Sequence, residues 1–162
     1  MPEDRRYSYE AMFLISQAVA ADLAGAVEHI NEILRRADAQ LIAMSKWDER
    51  RLAFEIDKQK RGVFILTYFS APASKVDHII RDCNLSERIM RIMLLRADHL
   101  TEDEMKATDA RDDLMTEAKM RAERASAGEA EAREAVTIGA PTRETDESGE
   151  TGEDEDQSDD ES

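Results

Sequence analysis

The chain has 162 residues, 36% of them charged, and a formal net charge of −15. The acidity is local: residues 1–100 hold 15 basic and 15 acidic side chains, whereas residues 101–162 hold 7 and 22, so polyanion binding by the first part is not excluded. No apolar run approaches the roughly 20 residues of a membrane span, the opening "MPEDRRYSYE" is unlike a secretory signal, and the single Cys83 excludes an internal disulfide; a cytoplasmic protein is expected.

Residues 7–15, "YSYEAMFLI", read as a strand. Tyr7, Tyr9, Ala11, Phe13 and Ile15 share one face, with Ser8, Glu10, Met12 and Leu14 on the other. Over 20–37, Leu23, Val27, Ile30, Ile33 and Leu34 give the spacing of an amphipathic helix. A second strand is expected at 39–47, running on through "RRLAFEI" at 50–56. "DKQKRG" (57–62) reads as a polar turn ended by Gly62. "VFILTYFSA" (63–71) is the strongest β signal, and Pro72 stops it. Val76, Ile79, Ile80 and Cys83 return to helical spacing, with Ser74 and Asp77 as an N-terminal capping pair and Asn84 as the stop. "RIMRIMLLRA" (88–97) reads as the fourth strand.

The order β-α-β-β-α-β predicts an α+β, ferredoxin-like split β-α-β fold, a four-stranded antiparallel sheet with two helices on one face. Domain organisation follows from composition. Residues 1–100 form the folded domain. Residues 101–136 are helix-competent but sparse in apolar groups, so a mobile, partly helical extension is expected there. Residues 137–162 cannot form a core, and from Glu144 on they hold 11 acidic residues and no Lys or Arg, a composition that predicts disorder.

Such a fold leaves one sheet face without helices, and here that face is apolar as well. Phe64, Leu66 and Tyr68 alternate with Val63, Ile65 and Phe69, and Ile89, Met93 and Leu95 alternate with Met90, Ile92 and Leu94. Phe64, Leu66, Tyr68, Ile89, Met93 and Leu95 are therefore candidate partner-binding residues. Self-association or a cover from the C-terminal helix are the alternatives to a protein partner.

Basic groups gather near strand ends and turns: Arg5, Arg6, Lys46, Arg50, Arg51, Lys58, Lys60, Arg61, Arg88, Arg91 and Arg96, with Tyr9 and Trp47 among them. Guanidinium forks suit phosphates, and aromatic faces suit unpaired bases. The candidate RNA-binding set is Arg6, Tyr9, Lys46, Trp47, Arg50, Arg51, Lys58, Arg61, Arg88, Arg91 and Arg96. A solvated charged face is the plainer reading of any one of them, since Asp48 and Glu49 stand alongside. No glycine-rich phosphate loop follows the first strand, and His29, His78 and His99 are scattered without metal-ligand spacing. Neither an enzyme nor a cofactor is expected. An adaptor whose acidic tail mimics nucleic acid is a second reading.

Three stretches resemble the bacterial small-subunit ribosomal protein six family: "RRYSYEAMFLI", "WDERRLAFEIDKQKRGVFILTYFSAP" and "RIMRIMLLRAD". The second is similar to the family's Gly-Arg-Arg-Leu-Ala-Tyr-Pro-Ile segment, followed by Lys, an aromatic strand and Ala-Pro. The resemblance covers about residues 5–100. Asp48 and Glu49 depart from the family's Gly and Arg, and Phe54 and Glu55 from its Tyr-Pro. The resemblance implies a structural protein that binds small-subunit rRNA in the platform of the ribosome, as a heterodimer with small-subunit ribosomal protein eighteen.

Overall fold

A computed structural model describes residues 4–138, with side chains through Arg133. The acidic segment expected to be disordered lies, from residue 139 on, outside the described residues. In chain order the elements are β1 (Arg6–Ser16), α1 (Gln17–Ala20), α2 (Leu23–Arg36), β2 (Gln40–Ile56), β3 (Gln59–Pro72), α3 (Val76–Leu85), β4 (Arg91–Arg96), α4 (Glu102–Ala107) and α5 (Arg111–Ile138). The strands form one sheet in the order β2-β3-β1-β4, and every neighbouring pair is antiparallel. The α+β, ferredoxin-like order expected from the sequence is the one present.

Alternation along β1 and β3 builds the core. Ala11, Phe13 and Ile15 stand beside Val63, Ile65 and Phe69, under Leu23, Ile30 and Ile33 of α2 and Ile79 and Cys83 of α3. Cys83 is buried, and desolvation pushes its thiol up to about 12, so it packs as an apolar group. The helix expected at 20–37 is α2, and a separate short helix, α1, precedes it. Ser16 caps α1 by accepting the Val19 amide at 3.2 Å. Asp22 caps α2 by accepting the Gly25 amide at 3.1 Å, which restarts the helix.

The turn after β2 is shorter than expected. Asp57 and Lys58 take φ of 48° and 62°, the two left-handed positions of a type I′ hairpin, so Gln59 to Gly62 belong to β3. Gly62 is therefore a strand residue rather than a turn residue. A Cβ there would lie 2.5 Å from Leu14 Cδ1 and 3.2 Å from the Ile15 carbonyl oxygen, so the glycine permits the close approach of β1 and β3. The expected capping pair of α3 also differs. Its N-cap, Lys75, makes no side-chain bond, and the Ser74 hydroxyl donates to the Asp4 carboxylate instead.

The extension beyond β4 buries more than its composition suggested. Thr101 and Glu104 form a capping box that starts α4. Met105 then fills the space among Ala43, Tyr68 and Ala97 on the sheet face opposite α2 and α3. The chain rounds the edge strand β2, where Asp109 and Ala110 bond to both main-chain groups of Met44. α5 returns on the helix side beside α2 and buries Leu114 and Ala118. A cover from the C-terminal part is thus real, and it closes one end of the open face.

A cationic hairpin over an apolar sheet face

The other end of that face stays open. Its floor is Met12 and Leu14 from β1, Phe64 from β3 and Met93 from β4, cross-strand neighbours by register. The β2–β3 hairpin bends over this floor. Phe54, 64% exposed, reaches across two strands until the Arg91 guanidinium lies 5.9 Å from its ring centre. Floor and hairpin enclose a groove of about 800 Å³.

Backbone geometry places the groove's aromatic wall. A register shift between Lys46 and Asp48 leaves Trp47 as the extra residue of a β-bulge. Trp47 is consequently turned out, 50% exposed, and meets Phe64 edge-to-face at 5.7 Å. The Arg50 guanidinium sits 5.1 Å from the Trp47 ring centre and 5.9 Å from that of Phe64. Such cation–π placement fixes an arginine without neutralising it. Arg50 also meets Asp48 at 3.6 Å. Arg51, Lys58, Lys60 and Arg61 are exposed and make no ion pair among the described residues.

Behind the hairpin lies an ion network that anchors α5. Lys46 Nζ is 2.7 Å from Glu117 and 3.5 Å from Glu49. Arg121 reaches Glu49 at 2.6 Å, Glu117 at 2.7 Å and the Ala20 carbonyl at 3.2 Å. Burial pulls both carboxyls upward, but the bonds from Arg121, joined by Gln17 at Glu49 and by Lys46 at Glu117, outweigh it and hold both below the ordinary glutamate range.

The candidate residues thus divide. Trp47, Arg50, Arg51, Lys58, Arg61 and Arg91 stand on the exposed hairpin or groove rim, and Phe64 and Met93 line the groove. Leu95 is exposed just outside it. The other candidates stand apart from the groove, and buried Tyr9 is corrected. Tyr9 is buried and stacked on Phe69 at 5.8 Å, so it has no face for a base. Arg6 donates to the carbonyls of Asp38 and Ser70, pinning the turn where Asp38 takes φ of 58°. Lys46 is spent on the α5 network. Arg96, exposed, lies on the Tyr7 ring at 3.7 Å and pairs with Asp98, and Arg88, also exposed, donates to the Gly25 carbonyl; neither lines the groove. Of the partner set, Ile89 belongs to the main core. Tyr68 is buried under Met105, and Leu66 packs beside it. Tyr68 donates to Glu10 at 2.9 Å, and burial together with that carboxylate pushes its phenol up to about 12.

Met12, Leu14 and Phe54 were not singled out. The alternation of Leu52, Phe54 and Ile56 carried the signal for an apolar side to the hairpin. Among the described residues no His, Cys, Asp and Glu group is arranged to hold a metal ion, and no described helix is long and apolar enough to cross a membrane.

Fold and site together define an α+β, ferredoxin-like protein whose exposed cationic hairpin borders an apolar groove. The family profile described as Ribosomal protein S6 matches residues 8–96, and the chain belongs to that family, whose members are structural rather than enzymatic. It is 32% identical over 91 residues to the small ribosomal subunit protein bS6 of Fusobacterium nucleatum, covering 56% of this chain and 97% of that protein. With the same-named protein of Campylobacter hominis it shares 26% over 95 residues, covering 58% of this chain and 66% of the relative. The crystal structure of 30S ribosomal protein S6 from Thermotoga maritima superposes with a TM-score of 0.55 at 23% identity, covering 64% of this chain and 98% of that one, which shows the shared fold. Helices α4 and α5 lie beyond the profile-matched residues.

Proposed function

We propose that the chain is a structural constituent of the small ribosomal subunit, where it binds small-subunit rRNA in the platform together with small-subunit ribosomal protein eighteen. Family membership supports the setting. The division of labour rests on one observation: exposed cations with no ion partner among the described residues flank an apolar groove that the described helices leave uncovered. Arg51, Lys58 and Arg61 suit a phosphate array, where each contact releases about one counterion. Trp47 and the Arg50 it orients supply an aromatic and planar surface for RNA. Met93, with Phe64 behind it, offers the apolar patch that a protein partner needs at the centre of an interface.

Reconstitution tests this reading. A platform fragment of small-subunit rRNA, small-subunit ribosomal protein eighteen and this chain should form a ternary complex more stable than either pair. Failure of the chain to join the fragment with the partner present would overturn it.

A further inference from the structure

The hairpin's free cations lack carboxylate partners on the described surface, yet the same chain carries their complement. Residues 144–161 hold 11 acidic side chains and no Lys or Arg. The described part of α5 heads toward the hairpin's end of the sheet. Ala110 bonds Met44, Glu117 meets Lys46 and Arg121 meets Glu49, so α5 runs along β2 toward the hairpin. From Ala122 to Arg133 its side chains are exposed. At about 1.5 Å per residue, Ile138 lies roughly 25 Å along the helix beyond Arg121. The 24 residues from 139 to 162 have a contour of up to about 80 Å, enough to return to Lys58 and Lys60.

We propose that, before RNA arrives, carboxylates of residues 144–161 dock on Arg51, Lys58, Lys60 and Arg61 of the same molecule, and that RNA must displace them. This rests on the reading of the hairpin as an RNA-binding arm. Each exposed ion pair is weak, but a tether raises the local concentration of the segment to the millimolar range. A weak polyanion, such as an arbitrary single-stranded RNA, then competes poorly. A site that also engages the groove through a protein partner displaces the segment. The device filters RNA by requiring both contacts, and salt screens it within a Debye length of about 10 Å at 0.1 M.

The test uses the full chain, a chain ending at Ile138, and a full-length chain with the Asp and Glu of 144–161 changed to Asn and Gln. Zero-length carbodiimide crosslinking in dilute solution at low ionic strength should join Lys58 or Lys60 to residues 144–161 within one molecule. Both altered chains should bind polyuridylate several-fold more tightly than the full chain at low ionic strength, with the difference gone at high salt. Absence of those crosslinks overturns the docking, even where binding tightens, because general repulsion then suffices. Equal polyuridylate affinity in all three chains overturns the competition. Arg51→Ala with Arg61→Ala, made in the chain ending at Ile138, separates the two readings: unchanged RNA affinity there rejects the hairpin as the RNA arm, whatever the crosslinks show.

Discussion

Asp109 accepts the main-chain amide of Met44 at 3.0 Å, and the next residue, Ala110, donates to the Met44 carbonyl at 3.0 Å. Together they close part of an edge strand that would otherwise present unpaired groups to another chain. Burial opposes the charge of Asp109, but Arg111 and the Met44 amide hold its carboxyl below the ordinary aspartate range. Asp109→Ala should destabilise the fold by about 1–2 kcal/mol, the cost of a part-buried amide left without its acceptor. Asp109→Asn, which keeps an oxygen acceptor, should cost less. Denaturant midpoints and hydrogen exchange at Met44 report both, and an unchanged midpoint with full protection at Met44 would contradict the role.

Met105 closes one end of the open face against Ala43, Tyr68 and Ala97. Met105→Ala should cost about 2–3 kcal/mol through lost burial and the cavity left behind. It should also rehydrate Tyr68, whose phenol now stands at about 12 through burial and the Glu10 carboxylate. Ultraviolet titration should show one tyrosine moving back toward about 10. A titration curve identical to that of the parent chain would mean that α4 does not shield the ring.

Acid should release α5. Glu49 and Glu117 are both depressed below their ordinary range in the folded chain. A carboxyl with a lowered folded pKa stabilises the fold above its unfolded value and loses that contribution as pH falls through the folded one. Docking of α5 should therefore be constant from neutrality to about pH 4.5 and weaken below it. A fluorescence-transfer pair on α2 and α5 should lengthen in that window. Glu117→Gln should already weaken docking at neutral pH, and a distance insensitive to both changes would count against the network.

Much of this architecture was legible in the residues, because alternation and helical spacing report which side of an element is buried. Phe13, Ile65 and Phe69, like Ile30 and Ile79, fell where the pattern placed them. What the pattern could not show was tertiary. Tyr9 and Phe69 share a face of the sheet, but only the stack between them reveals that Tyr9 has no free ring surface. Trp47 points outward because a bulge inserts one residue, and a one-residue shift reverses every side chain after it. The extension looked poor in apolar groups, yet Met105, Leu114 and Ala118 bury well because hydrogen bonds to Met44 carry the chain around an edge. Arginines are ambiguous at the level of sequence: Arg6 serves two carbonyls, whereas Arg51 makes no ion pair among the described residues, and only geometry separates them.

The free cations make a salt-dependence test specific. Arg51→Ala and Arg61→Ala should each lower the slope of log affinity for platform rRNA against log salt by about one, roughly uniformly across RNA sequences. Arg6→Ala should leave that slope unchanged and lower stability instead, since its guanidinium serves Asp38 and Ser70. The reverse pattern would move the RNA contact from the hairpin to the start of β1.

Met93 separates partner binding from folding. It is 48% exposed on the groove floor, flanked in register by Met12 and, one strand further, by Leu66. Exposure at this level means that Met93→Asp removes little buried area in the free chain, so its thermal midpoint should stay near that of the parent. At the centre of an apolar interface the same change strands a carboxylate without water, and affinity for small-subunit ribosomal protein eighteen should fall by roughly 2 kcal/mol or more. Ile89→Asp is the counter-case: that side chain is in the core, and the substitution should unfold the chain before any partner is added. Leu95→Asp, outside the groove, should have an intermediate effect on binding and none on folding. Calorimetric titration with the partner, beside thermal unfolding of each free variant, gives both readings. Parental affinity in Met93→Asp would place the partner elsewhere than on this groove.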